Sequence, residues 1–253
     1  MCLYSILITT YECHGKGVEM TRKNLESIFG QTYRPIQVVV SDHSKDDKIE
    51  KLVKSMDSSG VEVIYSRYRE NYGNPVWNWN NALQYATGDL IRYFAMDDYF
   101  GDEDALETTV EYINIFNDKE WFVNATKIMP IGQLFMPKFN DLLLYQNTIG
   151  GPSAVTIRSS LKDIRMNPEF IMYLDTEWYY RLYNKVGKPV IIPYADWQNY
   201  IHSNQLSQSV CNQESNIKEL NKLYELYGDI GYTQHIEFAR LERQRLSQYY
   251  FLE

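Results

Sequence analysis

Four short apolar runs alternate with amphipathic stretches over the first part of the chain, and this alternation limits the possible folds more than any other feature. The runs are Tyr4 to Ile8, Ile36 to Val40, Val61 to Ile64 and Leu90 to Met96. Each has strand length and is rich in β-branched or aromatic residues. Helical stripes lie between them. Leu25, Ile28 and Phe29 share a face that stops at Gly30, and Asn80, Leu83 and Ala86 precede Gly88; glycine is the common residue just past a helix end. Ile49, Leu52, Val53 and Met56 fall at i, i+3, i+4 and i+7, the clearest helical stripe in the chain. Strands joined through such helices imply right-handed βαβ crossovers. The expected class is therefore α/β, with a mostly parallel central sheet flanked by helices.

Further along, the pattern predicts a helix over Leu106 to Phe116, a strand at Trp121-Phe122-Val123 and an irregular stretch from Met129 to Thr148 that carries Pro130, Gly132 and Pro137. That stretch reads as a surface excursion or an acceptor-side lid. A strand over Ala154 to Ile157, a helix over Thr176 to Tyr183 and a strand at Val190-Ile191-Ile192 follow. After Ser209 the chain turns polar and helical, with Ile217, Leu220, Leu223 and Leu226 and then Phe238, Leu241 and Leu246 at helical spacing. The expected division is a domain over 1–209 and a helical C-terminal extension over 210–253, packed on the domain or on a second subunit.

Composition excludes several classes. At 253 residues, 44% hydrophobic and 23% charged, the chain has ample material for a core. A net charge of -8 makes nucleic acid a poor partner, since a surface that grips polyanions is basic. Cys2, Cys13 and Cys211 form neither a CxxC pair nor an even-numbered framework, which fits a reducing compartment without structural zinc. The first apolar run is too short for a membrane span and lacks a basic stretch before it. The expected location is the cytoplasm, or a peripheral seat at the inner membrane face.

In an open α/β sheet, ligands bind beyond the carboxyl ends of the strands. Strand one ends in Thr9-Thr10-Tyr11-Glu12, strand two in Ser41-Asp42-His43-Ser44 and strand four in Asp97-Asp98. A hydroxyl and aromatic edge, a carboxylate and a carboxylate pair would thus meet at one crevice. No GxxxxGK[ST] loop is present, and the start of a GxG at Gly15 and Gly17 runs into Met20 where a third glycine belongs. A phosphate held here needs a metal more than a glycine cradle. Mg²⁺ or Mn²⁺ takes oxygen ligands and often only one or two protein carboxylates plus substrate phosphates, so Asp97-Asp98 is a candidate site. A helix N-cap or a turn accounts for the pair equally well on position alone.

The ordered segments resemble glycosyltransferase family 2. The match runs through Ser5-Ile6-Leu7-Ile8-Thr9-Thr10-Tyr11, Leu25 to Thr32, Val39-Val40-Ser41-Asp42-His43-Ser44, Asn78-Trp79-Asn80-Asn81-Ala82-Leu83, Ala86-Thr87-Gly88-Asp89 and Ala95-Met96-Asp97-Asp98, and covers roughly residues 3–208. The resemblance implies a GT-A fold, a nucleotide-sugar donor, a divalent cation (Mn²⁺ or Mg²⁺) and inversion at the anomeric carbon. By position, Thr9, Tyr11 and Asp42 would contact base and ribose, Asp97 the ribose or metal, and Asp98 the metal and diphosphate. The chain departs from the pattern at Ala95, where many members carry a further Asp, and at Ser41, which stands in place of an Asp before Asp42. The first departure leaves the division of labour between Asp97 and Asp98 open.

In the second half, Tyr173 to Leu182 looks like the family's acidic residue at a helix start with an Arg one to two turns on. That makes Asp175 the general base for an acceptor hydroxyl, which attacks poorly until its proton is taken. An N-cap role for Asp175 is compatible with this, and Glu177 is the backup base. Gly150-Gly151-Pro152-Ser153 resembles a loop near the acceptor, or is a simple turn. His202, within Tyr200 to Ser207, corresponds to a late histidine that reaches metal or diphosphate, though a lone histidine is more often structural. Trp178 and Tyr179 fit helix packing better than sugar stacking. The function implied is transfer of a sugar to a glycan or lipid-linked acceptor in surface polysaccharide or glycoconjugate synthesis. Two rivals are a catalytically silent sugar-nucleotide-binding protein on the same fold and a nucleotidyltransferase. The latter would normally show a Gly-rich basic loop, and Thr9 to Gly17 carries only Lys16.

Overall fold

The computed structural model describes residues 2–145, 147–201 and 213–229. Among these residues nine strands form one sheet: β1 (Tyr4–Thr10), β2 (Ile36–Asp42), β3 (Glu62–Arg67), β4 (Leu90–Ala95), β5 (Asp98–Phe100), β6 (Trp121–Met129), β7 (Gln133–Phe135), β8 (Val155–Arg158) and β9 (Val190–Tyr200). Helices α1 (Gly17–Phe29), α2 (Lys48–Ser55), α3 (Pro75–Gln84), α4 (Ala105–Ile115) and α5 (Leu174–Val186) flank it, and α6 (Gln213–Tyr227) follows β9. The strand order is β3-β2-β1-β4-β8-β6-β9-β5, with β7 paired to β6.

The first four strands are parallel, as the βαβ pattern requires. β2 is buried along its whole length and β1 nearly so, which is why they read as continuous apolar runs. The second half is mixed. β8 runs antiparallel to β4 and β6, β5 antiparallel to β9, and β6 parallel to β9.

Three features depart from the sequence expectation. Strand four stops at Ala95, and after a turn Asp98 opens β5. The stretch from Met129 to Thr148 is not wholly irregular, because β6 turns back through β7. β9 runs on past Ile192 to Tyr200, with its register against β6 slipping around Pro193 and Tyr194. Proline has no N–H to give a ladder and is tolerated in a strand at such an irregularity.

Two close approaches require glycine. A Cβ on Gly88 would lie 2.7 Å from the Leu3 carbonyl oxygen, and one on Gly17 only 1.9 Å from that of Tyr11. The GxG at residues 15–17 therefore seats the start of α1 on the end of β1. A small second core, separate from the main one, joins Leu220 and Leu223 of α6 to Leu144, Tyr145, Phe170 and Tyr173.

Candidate active site

The ends of β1 and β2 are held by amides and hydroxyls. Thr9 is half-buried and Thr10 fully buried, its hydroxyl 2.6 Å from that of Thr21 on α1. Tyr11 is 40% exposed. Partial desolvation pushes its phenol above the usual range, and Cys13 and then Asp97 beside it push the same way. Asp42 is fully buried: the Tyr65 hydroxyl (2.6 Å) and the Ser44 N–H (2.8 Å) both donate to its carboxylate, and Arg67 lies 3.8 Å off. Asn78 and Asn81 brace this corner. The Ser41 hydroxyl donates to Asn78 Oδ1 at 2.6 Å, Asn78 Nδ2 donates to the Ser41 carbonyl at 3.0 Å, and Asn81 Nδ2 donates to Ser41 Oγ at 2.7 Å.

The two neighbouring aspartates differ sharply. Asp97 lies in the turn between β4 and β5, half-buried, on a cavity of about 600 Å³ that Lys16, Lys23, Tyr99 and Tyr200 also line. Asp98 is 3% exposed, and Asn199 Nδ2 donates to its Oδ1 at 3.0 Å. Burial, and then the charge of Asp97, hold the Asp98 carboxyl well above the usual carboxylate range; hydrogen bonds with Ser153 and Asn199 oppose this.

Asn24 is a site residue that pattern reading missed. From α1 its Nδ2 donates to the carbonyls of Ala95 (2.8 Å) and Asp98 (2.6 Å), gripping the turn from both sides. The only trace in the sequence is an amide among the buried positions Thr21, Leu25 and Ile28. Behind the turn, the Ala95 N–H donates to Ser153 Oγ at 3.0 Å, and Arg92 Nε donates to the Ser153 carbonyl at 2.6 Å. Arg92 makes a fully buried fork with Asp196, which also accepts from the Thr109 hydroxyl at 2.8 Å.

Asp175 is the second residue of α5 rather than its N-cap, a position that Tyr173 occupies. The Thr176 N–H donates to Asp175 Oδ1 at 2.8 Å, and Asn147 Nδ2 donates to Oδ2 at 2.6 Å. Asn147 is itself pinned: its Oδ1 accepts from the N–H groups of Ile149 (3.1 Å) and Gly150 (2.9 Å). Desolvation outweighs these hydrogen bonds and raises the Asp175 carboxyl to about 6. Glu177 faces elsewhere. It is 1% exposed, held by Arg181 in two bonds of 2.7 and 2.8 Å, and accepts from the Tyr227 hydroxyl at 2.6 Å. Trp178 and Tyr179 are fully buried packing residues, the Tyr179 hydroxyl donating to the Gly150 carbonyl at 2.9 Å.

The segment from Asn147 to Ser153 therefore spans the two acidic centres. One end touches Asp175, and the other touches Asp98 and Ala95. His202 and Cys211 lie outside the described residues. Among the described residues no group of three or more His, Cys, Asp or Glu gathers as a metal cage. Asp97 lines this cavity together with Glu19 and Glu26, and a carboxylate so placed still suits a cation that draws its remaining ligands from substrate phosphate and water.

Residues 5–119 match the family model described as Glycosyl transferase family 2. Over that stretch the chain is similar to family 2 glycosyltransferases. The glucosyltransferase WfaP of Escherichia coli, named for UDP-Glc and α-D-GlcNAc-diphosphoundecaprenol, is 24% identical over 201 residues, spanning 75% of this chain and 72% of that protein. Residues 1–349 of S. aureus TarS in complex with UDP-GlcNAc superpose with a TM-score of 0.69 at 17% identity, covering 92% of this chain and 69% of that one. The mannosyltransferase PcManGT of Pyrobaculum calidifontis, in complex with GDP-Man and Mn²⁺, gives 0.60 at 13% identity, covering 96% of this chain and 64% of that one. The fold is thus the GT-A fold that the family resemblance implies. No helix among the described residues is long and apolar enough to cross a membrane.

Proposed function

We propose that this glycosyltransferase inverts the anomeric centre, moving a hexose from a uridine diphosphate donor to a hydroxyl of a lipid-linked glycan, with Asp175 as the general base. The observation that carries this reading is the Asn147–Ser153 segment, which ties a desolvated carboxyl raised to about 6 to the turn that presents Asp97. A base of that strength suits proton removal near neutral pH.

In the reaction, the acceptor oxygen forms a bond to the anomeric carbon as the bond from that carbon to the diphosphate oxygen breaks. The diphosphate leaves with the electron pair, and the acceptor proton passes to an Asp175 oxygen. Attack opposite the leaving group inverts the centre through an oxocarbenium-like state. Asp97 is the carboxylate that would hold Mn²⁺ or Mg²⁺ against the donor. When bound, the cation neutralises charge on the departing diphosphate. Asp98, enclosed by Asn199 and Ser153, shapes the turn from behind. Tyr11 and Thr9 line the nucleoside side, and Asp42 orders that side through Tyr65 and Ser44. The WfaP name supports a UDP donor and a diphosphoundecaprenol-linked acceptor, and the Mn²⁺ in the PcManGT complex supports the cation. Such an acceptor implies surface polysaccharide synthesis, with the enzyme working at the cytoplasmic face of the membrane.

The test is a thermal-shift panel of UDP-Glc, UDP-GlcNAc and GDP-Man with Mn²⁺, since a donor that binds the native state raises its melting temperature. Transfer to a GlcNAc-diphosphate lipid, with the product's anomeric configuration read by NMR, follows. A shift with a UDP-sugar and an inverted product is expected. Retention of configuration, or full transfer by Asp175→Asn, overturns the assignment of the base.

A further inference from the structure

Helix α6 touches the transferase domain through one acidic side chain as well as its apolar face. Glu219 is 8% exposed, and its carboxylate accepts four hydrogen bonds from three consecutive backbone N–H groups. Ile171 donates to both oxygens (3.0 and 3.1 Å), and Met172 (2.9 Å) and Tyr173 (3.1 Å) donate to Oε2. These groups directly precede the first turn of α5, where backbone donors lack partners within the helix and favour an anion. Asp175 lies two residues beyond Tyr173.

Three other contacts reinforce the grip. The Tyr173 hydroxyl donates to Asn216 Oδ1 at 2.7 Å, and the Tyr227 hydroxyl donates to Glu177 Oε1 at 2.6 Å. Leu220 and Leu223 are buried against Phe170 and Tyr173. The loop into α5 is thus held by a buried carboxylate from a distant helix rather than by a side-chain cap of its own. On its other side, Asp175 is fixed by Asn147.

We propose that Glu219 is a positioning residue for transfer: by binding the N–H groups of residues 171–173, it sets the first turn of α5 and so aims the Asp175 carboxylate at the acceptor. This rests on the reading of Asp175 as base. It also gives the segment after β9 a role within the reaction, because the extension supplies half of the clamp around that residue.

The test compares the full chain with Glu219→Gln, which keeps the side-chain length but removes the charge and leaves one acceptor oxygen, with an amide NH₂ in place of the other. Hydrogen–deuterium exchange over the peptide spanning 169–180 is read in the absence of substrate, alongside steady-state kinetics per folded molecule. The clamp predicts faster exchange at residues 171–173, kcat lower by about 10- to 100-fold and a donor KM within about twofold of wild type. Unchanged exchange there, or unchanged kcat beside faster exchange, overturns it. Should Glu219→Gln not fold, Asn216→Ala, which removes the Tyr173 hydroxyl's acceptor, is expected to show the same split in weaker form; a change in donor KM alone overturns the proposal. If Asp175→Asn transfers normally, the base reading fails on its own, and the exchange result still reports on the clamp.

Discussion

At the residue scale the site turns on which carboxylate is presented and which is enclosed. Asp97 and Asp98 are adjacent, yet one borders the cavity and the other is sealed against Asn199 and Ser153. Asp97→Asn is therefore expected to abolish the Mn²⁺-dependent thermal shift given by donor. Asp98→Ala strands the Asn199 donor and is expected to cost about 1–3 kcal/mol in urea denaturation. Asp175 links activity and stability to pH. Below about 6 its carboxyl is protonated and cannot take a proton, so kcat should fall about tenfold per pH unit on the acid side of that value. Because burial raises this carboxyl above its ordinary 3.8, the folded state binds the proton more tightly than the unfolded chain does. The group's contribution to stability is then full below that value and is lost as pH rises to about 6. Asp175→Asn should match wild type near pH 4 and gain stability relative to it above pH 6, by at most about 3 kcal/mol and less for a partly exposed group. Denaturation at several pH values reads this directly, and a gap that does not vary with pH contradicts it.

At the element scale, the parallel strands and their crossover helices were legible because both faces of β1 and β2 are covered, which leaves unbroken apolar runs. The elements that carry the site were harder to read. β5 has three residues, and β9 contains Pro193, which breaks its pattern where the ladder slips. Asn24 was invisible as a site residue since its partners, the carbonyls of Ala95 and Asp98, are more than 70 residues away. Asn24→Ala leaves both carbonyls without that donor. It is expected to cost about 1–3 kcal/mol and to weaken donor binding as the turn relaxes, measured by denaturation and by the donor-induced thermal shift.

At the scale of the whole molecule, the Arg92–Asp196 pair joins β4 to β9 and, through Thr109, to α4, with the Ser153 carbonyl on the same guanidinium. Removing one member leaves a buried charge unpaired, so Asp196→Ala is expected to lose about 3–5 kcal/mol and to disturb the turn through Ser153, seen as a lower denaturation midpoint and a smaller donor shift. From sequence alone, the order of apolar runs determined the parallel half of the sheet, because hydrophobic period is a local property written in residue order; the strand ends offered Thr9, Tyr11, Asp42 and the aspartate pair as candidates. Only the tertiary structure decided that Asp97 faces the cavity while Asp98 is buried, that Asn147 holds Asp175 while Arg181 takes up Glu177, and that Glu219 holds the loop before it. Each of those outcomes depends on contacts between residues far apart in the chain, and no local pattern encodes which distant polar group will satisfy a buried one.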